Sequence, residues 1–493
     1  MGLNKKTVLL PMVVAALVSS GCTMIPDYKR PDAPLAAGYS SDDATAAANA
    51  VAAADIGWRE FFTDPHLQKL IETALQNNRD LRVAALNVEA ARAQYRIQRA
   101  ELFPAIGVTG SHQSSKFPSG VFGAGGGAGG GATIGTDEIN RFNNVGVGIT
   151  SYELDLFGRI RSLKQARLAD YLALQETRRA TQISLVAEVA NAYFAVLTDQ
   201  RLIAGTADVL KSQESTLGLS RQRLEAGATD ALTVHQVETS VYTARANLAR
   251  YERQLQLDRN ALTQLIGLPQ LPADLPLDTV IDENALATPL SAGLPSELLT
   301  RRPDVLAAEQ QLIASNANIG AARAAFFPNI TLTGSYGTAS TELDGLFKDG
   351  TEAWSFAPSI TIPIFAAGAN KASLDAAKLQ KDIGIAQYES AIQAAFREVS
   401  DALAARATLD RQVEAQQGLA TATSQSFKLA NLRFERGVDD YLTVLDSQRS
   451  QYTATMDLES IKLSRLQNLV TLYKVLGGGW SEHTVTAAAQ PAP

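Results

Sequence analysis

The sequence predicts an α+β protein built from two copies of one plan, each a strand pair followed by a long helix hairpin. Three observations predict this. A phrase recurs: "AELFPAIGVTGS" at 100–111 returns as "AAFFPNITLTGS" at 324–335. Proline is absent from 119–268 and again from 364–490, which leaves room for very long helices. Short alternating apolar–polar segments follow each copy of the phrase.

The N-terminus reads as a targeting segment. Lys5 and Lys6 precede an apolar run from Val8 to Val18, too short to span a bilayer as a helix, so residues 1–21 are expected to be a signal peptide. Ser19-Ser20-Gly21-Cys22 follows, and Cys22 is the sole cysteine, so no disulfide can form within the chain. A small residue before a lone cysteine resembles a lipobox, although Ser19 stands where Leu is usual. Cys22 is the expected lipid-attachment site; the alternative is an ordinary cleaved signal with an incidental cysteine. Thr23 rather than Asp follows, as in outer-membrane-sorted lipoproteins. Beyond this, no run of 18 apolar residues is evident, and no transmembrane helix is expected in the mature chain.

The repeat sets the domain plan. At an offset of 224, Asp80 meets Asp304, Arg99 meets Arg323 and Pro104 meets Pro328; further on the offset is 210, and "LEAGATDALTV" (224–234) lies over "FERGVDDYLTV" (434–444). The shortfall corresponds to a Gly-rich loop near 119–136, present in the first half alone. The divisions are 22–57, an extended N-terminal segment; 58–266, the first repeat; 267–303, a Pro-rich linker; 304–476, the second repeat; and 477–493, a tail.

Each half opens with a helix of moderate length. From Leu81, apolar residues recur at Val88, Tyr95 and Leu102, a coiled-coil-like spacing. Phe103-Pro104 and Phe327-Pro328 end these helices. Strand pairs are expected within 104–157 and 328–365. Ile330, Leu332 and Tyr336 alternate with Thr331, Thr333 and Ser335; Trp354, Phe356 and Ile360 alternate with Ser355, Ala357 and Ser359; Ile106 and Val108, then Val145, Val147 and Ile149, do the same in the first half. Strands of about ten residues fit either a membrane barrel, apolar out and polar in, or a soluble sheet. Residues 159–226 and 369–436 then each predict one helix about 100 Å long. Gly227 and Gly437 turn the chain. Asp230 and Asp440 cap return helices near 231–266 and 441–476.

Four strands cannot close a membrane barrel, and an open edge in lipid leaves backbone groups unpaired at several kcal/mol each. If these strands span a membrane, several identical chains must share one barrel.

The phrases "WREFFTDPHLQKLIETALQNNRDL" (58–81), "YELDLFGRIRS" (152–162), "LPSELLTRRPDVLAAEQQL" (294–312), "RGVDDYLTVLDSQRS" (436–450) and "YKVLGGGW" (473–480) together resemble an outer membrane factor of the TolC/OprM kind, the NodT-type efflux lipoproteins. The resemblance implies a homotrimer with a twelve-stranded barrel in the outer membrane of a Gram-negative bacterium, continued by a helical tunnel through the periplasm. It implies an exit duct for a tripartite multidrug pump, working with a periplasmic adaptor and an inner-membrane transporter of the resistance-nodulation-division class. A duct for type I protein secretion and a non-conducting periplasmic coiled coil are the alternatives; Cys22 favours efflux.

Asp446 and Arg449 lie three residues apart on one helix face, while the first half has Gln236 and Thr239 there. By resemblance, Leu442, Asp446 and Arg449 match the periplasmic aperture; the plain alternative is a surface ion pair. The tips, with Gly227, Asp230, Gly437, Asp439 and Asp440, fit adaptor docking as well as simple capping. No enzyme is expected: His66, His112, His235 and His483 are scattered, and the Gly-rich run lacks a phosphate-loop ending. No metal or other cofactor is expected beyond lipid on Cys22. The net charge of −7 argues against nucleic acid as a partner.

Overall fold

The computed structural model describes residues 23–34, 36, 39, 52–116, 139–272, 286, 290 and 298–484. The signal peptide, Cys22 and the Gly-rich loop lie outside them. In chain order the elements are α1 (Trp58–Phe61), α2 (Pro65–Asn77), α3 (Arg79–Ala100), β1 (Ile106–Ser115), β2 (Asn140–Leu154), α4 (Arg159–Glu225), α5 (Ala231–Ile266), α6 (Leu298–Arg301), α7 (Pro303–Ala324), β3 (Asn329–Ser340), β4 (Glu352–Thr361), α8 (Ala369–Glu435) and α9 (Tyr441–Val475). The described residues are therefore mostly helical, with four strands. The chain divides into two compact units, one of residues 1–30, 90–171 and 310–385, the other of 31–89, 172–309 and 386–493.

The first unit holds the sheet, antiparallel in the order β1-β2-β3-β4. Register places Val108 beside Val147, Val147 beside Tyr336, and Tyr336 beside Trp354, so one row of apolar side chains crosses all four strands. A second row runs Ile106, Ile149, Gly334, Phe356. Neighbours in a row share a face. The opposite face carries Gly107, Gly148, Ser335 and Ser355 in one row and Thr109, Gly146, Gly337 and Ala353 in another. The apolar face is open: Val108 is 78% and Trp354 76% exposed.

β2 has 15 residues rather than the expected ten. A register shift between Ile149 and Tyr152 explains its length. Before the shift the apolar residues are odd-numbered (Val145, Val147, Ile149). After it they are even-numbered, with Tyr152 beside Leu332 and Leu154 beside Ile330. The bulge flips parity and keeps the apolar face continuous through a sequence whose alternation breaks. Pro358 falls inside β4, which the sheet order makes an edge strand, where a missing N–H is tolerated.

Below the strands, the turns after α3 and α7 match. Leu102 and Phe103 donate back to Arg99 and Ala100, while Phe326 and Phe327 donate to Arg323 and Ala324. Phe327 stacks on Phe157 at 4.7 Å. Tyr152 Oη donates to Leu102 O at 3.0 Å, and Arg159 pairs with Glu153, which ties the end of β2 to the start of α4. The N-terminal segment seats on this unit. Ile25 packs against Ala166, Ala169, Ala314 and Ala317. Asn316 Nδ2 donates to Pro26 O at 2.8 Å and Arg323 to Met24 O at 3.2 Å. Gly320 is required there, because a Cβ would lie 2.7 Å from the Ile25 side chain.

The second unit has an aromatic core. Phe61 stacks on Tyr473 with ring centroids 3.9 Å apart, Tyr473 Oη donates to Ile56 O at 2.6 Å, and Tyr193 Oη donates to Asp64 at 2.8 Å. α2 was not anticipated as a separate helix. Asp64 caps it, Pro65 opens it, and Asn78, in extended conformation, breaks it from α3 while donating to Leu265 O. A stretch of α4 is apolar enough to cross a membrane by composition, contrary to expectation, but 56% of it is buried within the protein. Its Val186, Val189, Ala190, Phe194 and Val196 belong to the core of this unit.

Candidate functional site at the helix tips

The α4–α5 and α8–α9 hairpins turn in the same way. Gly227 and Gly437 adopt φ of +70° and +71°. Ala228 N–H donates to Arg223 O at 2.7 Å and Val438 N–H to Arg433 O at 2.9 Å, the bond of a Schellman cap. Asp230 accepts from Thr233 N–H at 2.8 Å, and Asp440 from Thr443 N–H at 3.1 Å. These bonds hold the Asp230 carboxyl below its ordinary range. Both aspartates expected at the N-caps therefore serve there.

The two tips differ in charge. Arg433 makes a two-pronged contact with Asp439, at 2.6 and 2.8 Å, and this partner holds Asp439 below its usual range. The first tip has Arg223 and Thr229 at the matching positions, and Arg223 instead lies over the Phe434 ring at 5.6 Å. Phe434 also packs on Tyr441 at 5.2 Å. Tyr441 is raised by burial and partly relieved by a hydrogen bond with Thr216 of α4. The sequence reading missed this lock between hairpins; the repeat offset applied to Arg223 and Arg433 was the available signal. His235 is on the surface, 2.9 Å from Glu238, which also accepts from Arg221 at 2.7 Å.

Arg449 donates to Asp446 Oδ1 at 3.0 Å on one face of α9. Both side chains are open to solvent, at 79% and 59%. Leu442, one turn earlier, is 47% exposed, and Val438 and Leu232 at the two tips are exposed as well. Within one chain this is a surface ion pair one turn from an apolar residue, all three side chains open to solvent.

A family model described as outer membrane efflux protein matches residues 70–268 and 294–478. The chain belongs to the outer membrane efflux protein family. It is 48% identical over 484 residues to the probable efflux pump outer membrane protein TtgC of Pseudomonas putida, with 98% of each chain covered. It is 43% identical over 477 residues to the outer membrane protein OprJ of Pseudomonas aeruginosa, with 95% of each covered. The solved open state of the MtrE outer membrane channel of Neisseria gonorrhoeae superposes with a TM-score of 0.84 at 42% identity, covering 94% of this chain and all of that one. This efflux protein works in the outer membrane, and the sheet with one apolar face is the part suited to lipid.

Proposed function

We propose that three copies of this chain form one exit duct for a tripartite pump of the resistance-nodulation-division class, passing small molecules out through the outer membrane. The observation that carries the reading is the sheet: among the described residues it has four strands, one mainly apolar face, and edges at β1 and β4 without a partner strand. Open edges in lipid are costly, and a neighbouring copy pairs them. Three chains supply twelve strands, and the row of Gly, Ser and Thr faces the lumen. A periplasmic adaptor docks on the tips around Gly227, Asp230, Gly437, Asp439 and Asp440. Cys22 carries the lipid that assists assembly in the membrane.

Leu442, Asp446 and Arg449 close the periplasmic end. Repeated about the axis, they make an apolar constriction beside a ring of carboxylates and a ring of guanidinium groups. The exposure of all three side chains within a single chain supports this role.

Single-channel recording in planar bilayers tests the reading. The wild type is expected to give a small, cation-selective conductance, and Asp446→Ala with Arg449→Ala a larger one. An exposed pair of this kind is worth about 0.3–0.5 kcal/mol, so the variants should fold and assemble as the parent does. Unchanged conductance moves the gate elsewhere. Well-folded trimers that never conduct overturn the duct.

A further inference from the structure

We propose that the Gly/Ser/Thr face of the sheet binds small uncharged aromatic molecules that carry a hydroxyl, in a crease beside Phe142. The proposal rests on the duct reading for one point, that this face lines the path of the cargo.

The sheet holds a cavity of about 230 Å³. Nine of its thirteen lining residues lie on the Gly/Ser/Thr face by strand register, so the cavity opens there and not on the apolar side. Its depth comes from the close approach of β2 and β3. A Cβ on Gly146 would stand 2.9 Å from Tyr336 O, and one on Gly337 would strike Val145 O, so both positions need glycine. The missing side chains leave a crease between the β1–β2 pair and the β3–β4 pair.

One wall of the crease is aromatic. Phe142 sits opposite Gln113 and two residues before Asn144, which places its ring on this face. It is 48% exposed. Every side chain that β1, β3 and β4 put on the same face is Gly, Ala, Ser, Thr, Asn or Gln. The ring is left for a guest to cover, with a gain from apolar burial and from ring stacking.

The rest of the lining is polar without charge: among the described residues no Asp, Glu, Lys, Arg or His lines the cavity. Ser335 and Ser355 share a hydrogen bond at 2.8 Å, so one hydroxyl donates and the other keeps its proton for a further acceptor. Asn144 Oδ1 accepts from Ser111 at 3.1 Å, which leaves the amide N–H groups of Asn144 to donate. Thr338 borders the cavity from the opposite face, and its buried Oγ1 has no hydrogen-bond partner among the described residues. Orphaned hydroxyls of this kind are rare, and a polar group on a guest would satisfy it.

Size and chemistry select the guest. A cavity of about 150 Å³ holds benzene. The larger volume here takes one ring with a hydroxyl. A charged guest would give up water without finding an opposite charge. The crease is open along the sheet, so binding is weak and the guest leaves again, as passage through a pore requires.

The test is fluorine NMR of 4-fluorophenol with the full-length protein in lipid nanodiscs at neutral pH, with protein-free nanodiscs as the blank. The wild type should bind with millimolar affinity. Phe142→Ser should weaken binding about fivefold, the worth of one aromatic pair, and Phe142→Tyr should restore it. Fluorobenzene should bind the wild type more weakly than 4-fluorophenol does, and Ser335→Ala, Ser355→Ala and Thr338→Val together should remove that preference. Phe356→Ser, on the apolar face and outside the cavity, should bind as the parent does. Wild-type protein that binds no more than the blank, binding that ignores Phe142→Ser, or binding lost in Phe356→Ser instead overturns the site. Conductance of the same preparations in planar bilayers separates the two readings. Channels that conduct without Phe142-dependent binding overturn the site alone, whereas Phe142-dependent binding by trimers that never conduct keeps the site and overturns the duct.

Discussion

Replacing Arg302 by Met removes a clamp that joins three elements of the second unit. The Arg302 side chain is 9% exposed. Its Nε donates to Asp304 at 3.0 Å, one terminal nitrogen to Asp304 at 2.5 Å and to Glu398 of α8 at 2.7 Å, and the other to Val475 O of α9 at 3.2 Å. Burial alone would pull the guanidinium down, but Asp304 and Glu398 more than offset it. Breaking a buried ion pair from one side costs about 3–5 kcal/mol. Asp304 and Glu398 are 46% and 42% exposed and regain water when the arginine is gone, which argues for the low end. The expected loss is about 3 kcal/mol, or about 5 °C in the melting temperature of a unit of about 300 residues. Thermal melting of the detergent-solubilised protein reads it, and Glu398→Gln in a double-mutant cycle isolates the Arg302–Glu398 share. Arg302→Lys keeps the charge but loses the fork, and should fall between wild type and Arg302→Met. A melting temperature for Arg302→Met within about 1 °C of the parent would refute the buried-clamp reasoning.

Other expectations follow from the same contacts. Gly320→Val puts a side chain where Ile25 and Ser162 already are, so the segment from Thr23 to Pro26 should leave its seat. Limited proteolysis should then cut the N-terminal segment faster while leaving the helices intact. Because Thr233 and its neighbours hold the Asp230 carboxyl low, the cap is present above the ordinary carboxylate range and is lost as pH falls through the lowered value. Amide exchange at Ala231–Thr233 should therefore rise on acidification in the wild type, whereas Asp230→Asn should show no such acid step. Gly437→Ala forces a Cβ into φ of +71° and should cost about 1 kcal/mol, read as increased exchange at the α8–α9 turn.

How much could be read from sequence depended on the range of the cause. The Schellman turns at Gly227 and Gly437 and the caps at Asp230 and Asp440 are set by neighbours within six residues, so spacing announces them. The Asp446–Arg449 contact is likewise three residues long. The lock of Arg223 on Phe434 and of Thr216 on Tyr441 joins residues more than 200 apart, and no local pattern marks it. The separate helix α2 was hidden for another reason: a single extended Asn78 divides it from α3, without the Gly or Pro that usually signals a break.

By itself the sequence determined the type and order of the long helices and of the strands. Period-2 and heptad spacings, proline-free stretches and capping residues act on the backbone over one or two turns, and they act the same wherever the chain lies. Tertiary structure alone decided which residues face each other. The bulge after Ile149 restores the apolar face only because β3 offers Leu332 and Ile330 opposite Tyr152 and Leu154. Arg302 becomes a clamp only where α8 and α9 bring Glu398 and Val475 to it. Asp199 is an ordinary charged residue in the sequence, and only packing within the second unit brings it to 6% exposure and leaves its Oδ2 without a hydrogen-bond partner among the described residues, a desolvation that no one segment of chain sets.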